Sequence, residues 1–310
     1  MPLPAAAQQV VLAALARQRQ SSAEPVYTDL ARLGPTLGLV GNRHMRRVAT
    51  AAIGALGLRP TAGLVWRFGW QWWYQRSVDE LLAYQADRLT PEWAQRHVLA
   101  PPRLPPAGSI LLSVHQYNLP VAAARAVQLV DDLGVVSMID PLPPAVGNAG
   151  TDAFLLAPGP RVGAVSRFYR RTFGERLYTP LVAARQGLEL LQRGGSLIVL
   201  ADFYGQVFGP ILGKRIPVAQ GPVWLARRSG RPIVPFALAP PRQPEEPWQL
   251  WCGEPIEPSP AAVAATLEAA IRRLPTTWMS WRGWHAAPGW RSAATADPSS
   301  HHRAAPLARP

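Results

Sequence analysis

His115 and Asp202 each follow a short apolar run that reads as a buried strand, Ser109 to Val114 for the first and Ser196 to Ala201 for the second. In an open α/β sheet, ligands bind beyond the C-terminal ends of the strands, so an imidazole and a carboxylate face one crevice. Histidine is the side chain that changes charge near neutral pH, which makes proton transfer the chemistry to consider. A single histidine after a strand is nevertheless more often structural than catalytic, and position alone does not decide. Other chemistries have less to work with. Ser113 lacks the glycine-flanked elbow of a nucleophile, and Gly194-Gly195 lacks the spacing of a phosphate-binding loop. Cys252 is the only cysteine, which rules out an intramolecular disulfide and a cysteine cluster for zinc. His44, His97 and His285 have no partner that suggests a metal site.

The elements that must position these residues alternate along the chain. After the first strand, residues 120–133 read as a helix and Gly134 to Ile139 as a second strand. A helix over 174–193 ends at Gly194-Gly195 and leads into the strand before Asp202. A helix over 219–229, strands over Pro232 to Leu238 and Trp248 to Cys252, and a helix near 260–273 complete the pattern. Such alternation implies an α/β fold, a mostly parallel central sheet flanked by helices, with a helical N-terminal segment. Asn118 and Pro120 fall in the first turn after His115, where asparagine caps and proline is tolerated. Residues 1–24 read as an N-terminal helix of uncertain role, 25–287 as one domain and 288–310 as a disordered tail rich in Ala, Ser, Pro and His. Within the domain, 25–100 is the helical part and 101–287 the α/β core, which begins at the linker prolines Pro101, Pro102, Pro105 and Pro106.

With 310 residues, 48% of them hydrophobic, the chain can build one large core. The net charge is +13, almost all from arginine, since Lys214 is the only lysine. That balance favours anionic partners, lipid headgroups or an acidic carrier protein, and no basic run is interleaved with a nucleic-acid motif. The N-terminus lacks a secretory pattern, and no clearly apolar run of spanning length occurs. Trp66, Trp70 and Trp73 share one helical face within the aromatic run Val65 to Tyr74, and Trp72 does not. Either this helix packs on the core, or it lies at a membrane interface with Arg47, Arg59, Arg67 and Arg76 facing phosphates.

His115-Gln116-Tyr117-Asn118-Leu119-Pro120 resembles the His-x-x-Asn-x-Glu signature of the late lipid A biosynthesis acyltransferases, a branch of the lysophospholipid acyltransferase superfamily. Further segments are similar in order and spacing. They are Leu191 to Ser196 with Asp202, Val207-Phe208-Gly209 through Pro217, Gly221 to Leu225-Ala226, Ile233-Val234-Pro235, and Pro275 with Trp278, Trp281, Arg282 and Trp284. The likeness covers roughly residues 25–285. It implies an acyltransferase-type version of this α/β fold, and a membrane-associated enzyme that moves a fatty acyl chain from an acyl-carrier-protein or CoA thioester to a lipid or glycolipid hydroxyl. His115 would be the general base, with no cofactor beyond the donor thioester and no metal. It also implies peripheral attachment at the cytoplasmic face of a bacterial inner membrane, with no nucleic acid as partner. In the same way Arg167, Arg170 and Arg171 resemble the segment that holds an anionic acceptor group, which suits bidentate arginine. Asn118, Phe208, Gly209, Lys214 and Arg215 join the substrate-binding set, the last two facing a phosphate or a phosphopantetheine arm. As plain sequence, Arg167, Arg170 and Arg171 read equally well as a solvated helix start, and Lys214 and Arg215 read more simply as surface charge.

One departure falls at the centre. Pro120 stands where the family carries the acid that orients the imidazole, and proline accepts no hydrogen bond from it. In serine proteases, disabling the orienting aspartate costs on the order of 10⁴ in rate, about 5 kcal/mol. Three outcomes stay open. Asp202 or Asp140 supplies the carboxylate from a neighbouring strand end, or His115 acts alone on an activated donor. In the third, the chain is a catalytically degenerate relative that binds acyl chains or a carrier protein as an accessory factor.

Overall fold

Apolar runs of four or five residues form the central strands, and they are buried almost along their whole length because helices cover both faces. The computed structural model of the chain describes residues 13, 14, 16, 17, 31, 32, 43–137, 158–241, 246–282 and 284. The tail from 288, most of segment 1–24, and Asp140 lie outside the described residues. Seven strands form one sheet: β1 (Val98–Leu99), β9 (Trp248–Cys252), β8 (Ile233–Ala239), β2 (Ile110–Ser113), β5 (Ser196–Leu200), β3 (Leu133–Val136) and β4 (Leu177–Tyr178), in that spatial order. Every neighbouring pair is parallel except β8 with β9. This is an α/β fold with a largely parallel central sheet flanked by helices, including helices N-terminal to the sheet.

The register of the two middle strands matters most. β2 and β5 pair from Ile110 with Leu197 to Ser113 with Leu200. Residues 115 and 202 each lie two positions past that last pair, so parallel strands carry them to the same end side by side.

The N-terminal part is a helical hairpin of α1 (Arg43–Ala55) and α2 (Ala62–Tyr84). Thr61 caps α2 by accepting from the Leu64 amide at 3.3 Å. α2 contacts α1, α5 (Pro158–Phe173) and the turn Pro275–Thr277, so it is enclosed on several sides. Its aromatic run therefore does not divide into a wet and a dry face. Trp72 and Trp73 are both buried, and Arg76 is buried with its guanidinium 5.1 Å from the Trp73 ring centroid. The expectation that Arg76 faces phosphates is corrected accordingly. Trp66, near the start of α2, is 51% exposed. No helix among the described residues is long and apolar enough to cross a membrane.

Two other sequence expectations change. The single helix over 174–193 is instead a turn at Gly174–Arg176, then β4, then a helical run over 180–192. Gly174 has a φ of 55°, which breaks α5, and Pro180 restarts the helix while keeping Thr179 extended. Residues 202–218 form an unforeseen antiparallel hairpin, β6 (Asp202–Ile211) and β7 (Lys214–Val218). Its turn residues Leu212 and Gly213 both have positive φ, 50° and 74°, as a tight hairpin turn requires. Leucine is a poor residue for that conformation, and the Leu212 amide is held by Glu268 Oε2 at 2.9 Å. Glu268 lies on α8 (Pro260–Arg273), which packs so closely that a Cβ on Gly209 would sit 2.5 Å from the Ala264 Cβ.

Candidate active site

Beyond β2 the chain leaves the sheet at His115, and its backbone amide donates to Asp202 Oδ1 at 2.7 Å. The ring follows: Nδ1 lies 2.8 Å from the same oxygen. An ionised carboxylate only accepts, so Nδ1 carries the proton in this contact and Nε2 is the basic nitrogen. Trp278 Nε1 donates to the other oxygen, Oδ2, at 2.8 Å. Asp202 is fully buried with three donors around its carboxylate, while 28% of the His115 side chain remains exposed. The ring is thus gripped from behind and reachable in front.

Burial alone would push the imidazole pKa down, but the Asp202 charge and its hydrogen bonds outweigh this and hold it above the ordinary 6.5. A base with that shift takes a proton readily and keeps it on the imidazolium beside a carboxylate.

The loop that carries His115 is fixed on both sides. Tyr117 N donates to Thr277 O at 2.8 Å, Met279 N donates to His115 O at 2.9 Å, and Gln116 forms an antiparallel bridge with Trp278. Gln116 Oε1 accepts from the Leu238 amide on β8 at 3.3 Å. Asn118 sits at the start of α4 (Leu119–Leu129) with φ 63°, a conformation asparagine tolerates. Its side chain makes no cap, contrary to expectation, because a capping residue is normally extended and this one is left-handed; its backbone amide donates to Asp79 Oδ1 at 2.6 Å. Both polar atoms of that buried side chain have no hydrogen-bond partner among the described residues.

Asp79 and Trp278 are the two contributors that residue-type reasoning did not single out for the site. An Asp79-Glu80 pair inside a run of buried helix was a usable signal, since charges rarely enter such a stretch without partners. Trp278 stood out only as part of a family-like segment with no role attached, because its role depends on the strap that residues 277–279 make.

The other candidate residues lie as follows. Arg167 and Arg170 are exposed on α5, and Arg171 donates to Asp87 O at 2.7 Å and to Leu89 O at 3.3 Å. Phe208 is 41% exposed, with the Arg215 guanidinium 5.8 Å from its ring centroid. Phe208 pairs with Pro217, one step beyond the Val207–Val218 pair beside Asp202, so it is near the site end of the hairpin. Lys214 is at the turn end, three residues and roughly 10 Å further along at a strand's usual rise. Its ammonium donates to Trp284 O at 2.6 Å, lies 4.5 Å from that indole's centroid, and has its pKa lowered by burial. Asp140 is outside the described residues.

A cleft of about 740 Å³ opens elsewhere, at the β4 edge, lined by Arg171, Phe173, Arg176, Tyr178, Gln186 and Arg193 among others. Arg176 and Arg193 share Asp132 at 3.0 and 3.1 Å. Asp132 and Arg193 precede β3 and β5, at the strand ends opposite His115, so this cleft is not the space in front of the imidazole. No group of three or more His, Cys, Asp or Glu side chains among the described residues could hold a metal ion.

No protein-family model and no curated protein matches the chain. Among solved structures, the crystal structure of the 1-acyl-sn-glycerophosphate (LPA) acyltransferase PlsC from Thermotoga maritima aligns with a TM-score of 0.35 and 14% identity, over 79% of this chain and 94% of that one. So loose a superposition carries no chemistry, which rests on the contacts of residues 115, 202 and 278.

Proposed function

We propose that the protein is an O-acyltransferase in which His115 and Asp202 form the catalytic pair. It would move an acyl chain from a carrier-protein or CoA thioester to a lipid or glycolipid hydroxyl. The observation that carries this reading is the fully buried Asp202 carboxylate on Nδ1 of a partly exposed imidazole. Pro120 removes an acid from the loop, and Asp202, brought alongside by the β2–β5 register, stands in its place. That weakens the case for a degenerate accessory protein, which rested on the missing acid.

The chemistry follows from the pair. Nε2 takes the proton of the acceptor hydroxyl as its oxygen attacks the thioester carbonyl. The C–S bond then breaks, the thiolate leaves with the proton from the imidazolium, and an ester and a thiol result. Asp202 keeps the ring in the productive tautomer and stabilises its charged form. The full-length protein, given radiolabelled acyl thioester and a panel of lipid hydroxyl acceptors, should yield labelled ester. His115→Ala should not. No product with wild type, or equal product with His115→Ala, removes the proposal.

Membrane contact is assigned to the tip of the N-terminal helical hairpin. Leu58 and Trp66 are 52% and 51% exposed there, beside exposed Arg59 and Arg67. Apolar side chains ringed by arginines suit an anionic headgroup layer. Wild type should co-sediment with anionic vesicles, less so as salt rises. The pair of substitutions Leu58→Ala and Trp66→Ala should weaken that binding roughly tenfold or more. Undiminished binding by the double variant would place the contact elsewhere.

A further inference from the structure

We infer that Trp278 is a positioning residue for the His115–Asp202 pair, holding the second oxygen of the carboxylate so that the first stays on the imidazole. This rests on the catalytic reading above, but its readout does not need turnover.

Asp202 is gripped unequally. Oδ1 takes both His115 donors, the amide at 2.7 Å and Nδ1 at 2.8 Å, and Oδ2 takes the Trp278 indole at 2.8 Å. A carboxylate held by one oxygen can turn about its Cβ–Cγ bond. A donor on the other oxygen fixes the plane. The indole N–H suits that task because it donates only and does not titrate in competition with the imidazole. Trp278 itself cannot turn. It is fully buried, with Trp281 and Trp284 edge-on at centroid distances of 4.8 and 5.5 Å.

The same segment holds the other partner. Thr277 O accepts from Tyr117, and the Met279 amide donates to the carbonyl of His115 itself. Residues 277–279 therefore hold the backbone of the base and the side chain of the acid at once. The two strands set the pair side by side, and this strap sets their angle. A simple packing role would need only the aromatic bulk of residue 278, which phenylalanine largely keeps. The positioning role needs the N–H, which phenylalanine lacks.

The test is Trp278→Phe in the full chain with ¹⁵N-labelled histidine, followed by NMR against pH, together with steady-state transfer assays. The expected result is a His115 titration midpoint moved down from its wild-type value, with loss of the far-downfield Nδ1 proton signal. In the assay, kcat should fall about tenfold, the scale of one charge-assisted hydrogen bond, with KM little changed. A folded variant whose His115 midpoint and Nδ1 signal match wild type overturns the inference, whatever the assay shows. A moved midpoint in a protein that transfers no acyl group supports the positioning role and sinks the catalytic reading instead. If Trp278→Phe does not fold, benzothienylalanine at position 278 keeps the indole's shape without its N–H, and the same two outcomes apply.

Discussion

Asp202→Asn should lower the rate of acyl transfer by about 10³- to 10⁴-fold, with KM for donor and acceptor within a few-fold of wild type. The scale is that of the serine-protease aspartate, whose amide replacement leaves the geometry intact but selects the wrong imidazole tautomer. The same logic holds here because Asp202 Oδ1 meets Nδ1 at 2.8 Å, and the other donors to the carboxylate, the His115 amide and the Trp278 indole, are neutral. The pH profile gives a second reading. The base must be neutral to work, and Asp202 holds its pKa above 6.5, so the wild-type rate should fall as pH drops through that raised midpoint. In Asp202→Asn the residual rate should fall at lower pH. The pairing also contributes to stability. His115 binds its proton more tightly folded than unfolded, so this contribution is complete below about pH 6.5 and is lost as pH rises through the folded value. Asp202→Asn should flatten that dependence. A variant with near-wild-type kcat would leave His115 without its orienting acid in the mechanism.

Trp281→Ala should cost about 3–5 kcal/mol of stability, the range for a large aromatic removed from a closed core. Trp281 is fully buried, edge-on to Trp278, Trp284 and Phe68, and its indole donates to Pro275 O at 2.6 Å. Its loss opens a cavity between α2 and the segment that straps His115. Denaturant unfolding should show the midpoint falling with little change in slope. A loss under 1 kcal/mol would mean the tryptophan cluster closes around the gap or adds little to the fold.

Much of the sheet was legible because the buried strands are uninterrupted apolar runs. Ser196 to Ala201 and Pro232 to Leu238 stand out as such, and the structure places strands at Ser196–Leu200 and Ile233–Ala239. The convergence of His115 and Asp202 was legible in part, since both follow strands, but adjacency needed the β2–β5 pairing that no local pattern encodes. The β6–β7 hairpin escaped for a different reason. Its turn is Leu212-Gly213 rather than Asn-Gly, and its stability comes from α8 through Glu268 and Gly209, some 56 residues away in the first case. The tryptophans of α2 left core packing and a membrane interface both open, because helical periodicity separates two faces only when one faces solvent, and most of α2 from Phe68 onward is buried. Asn118 looked like a cap from its type and place, and φ 63° redirected it. Trp278 and Asp79 act through long-range contacts, visible only once the chain is folded.

The central claim is that residues 115 and 202 act as one unit, and a double-mutant cycle on acyl transfer tests it most directly. His115→Ala, Asp202→Asn and the two together would be compared with wild type under the same donor and acceptor. An acid that works only through the imidazole has nothing to do once the ring is gone, so the double variant should be no slower than His115→Ala alone. If the two penalties instead multiply, the carboxylate and the imidazole serve separate purposes and the pair is not the catalytic unit.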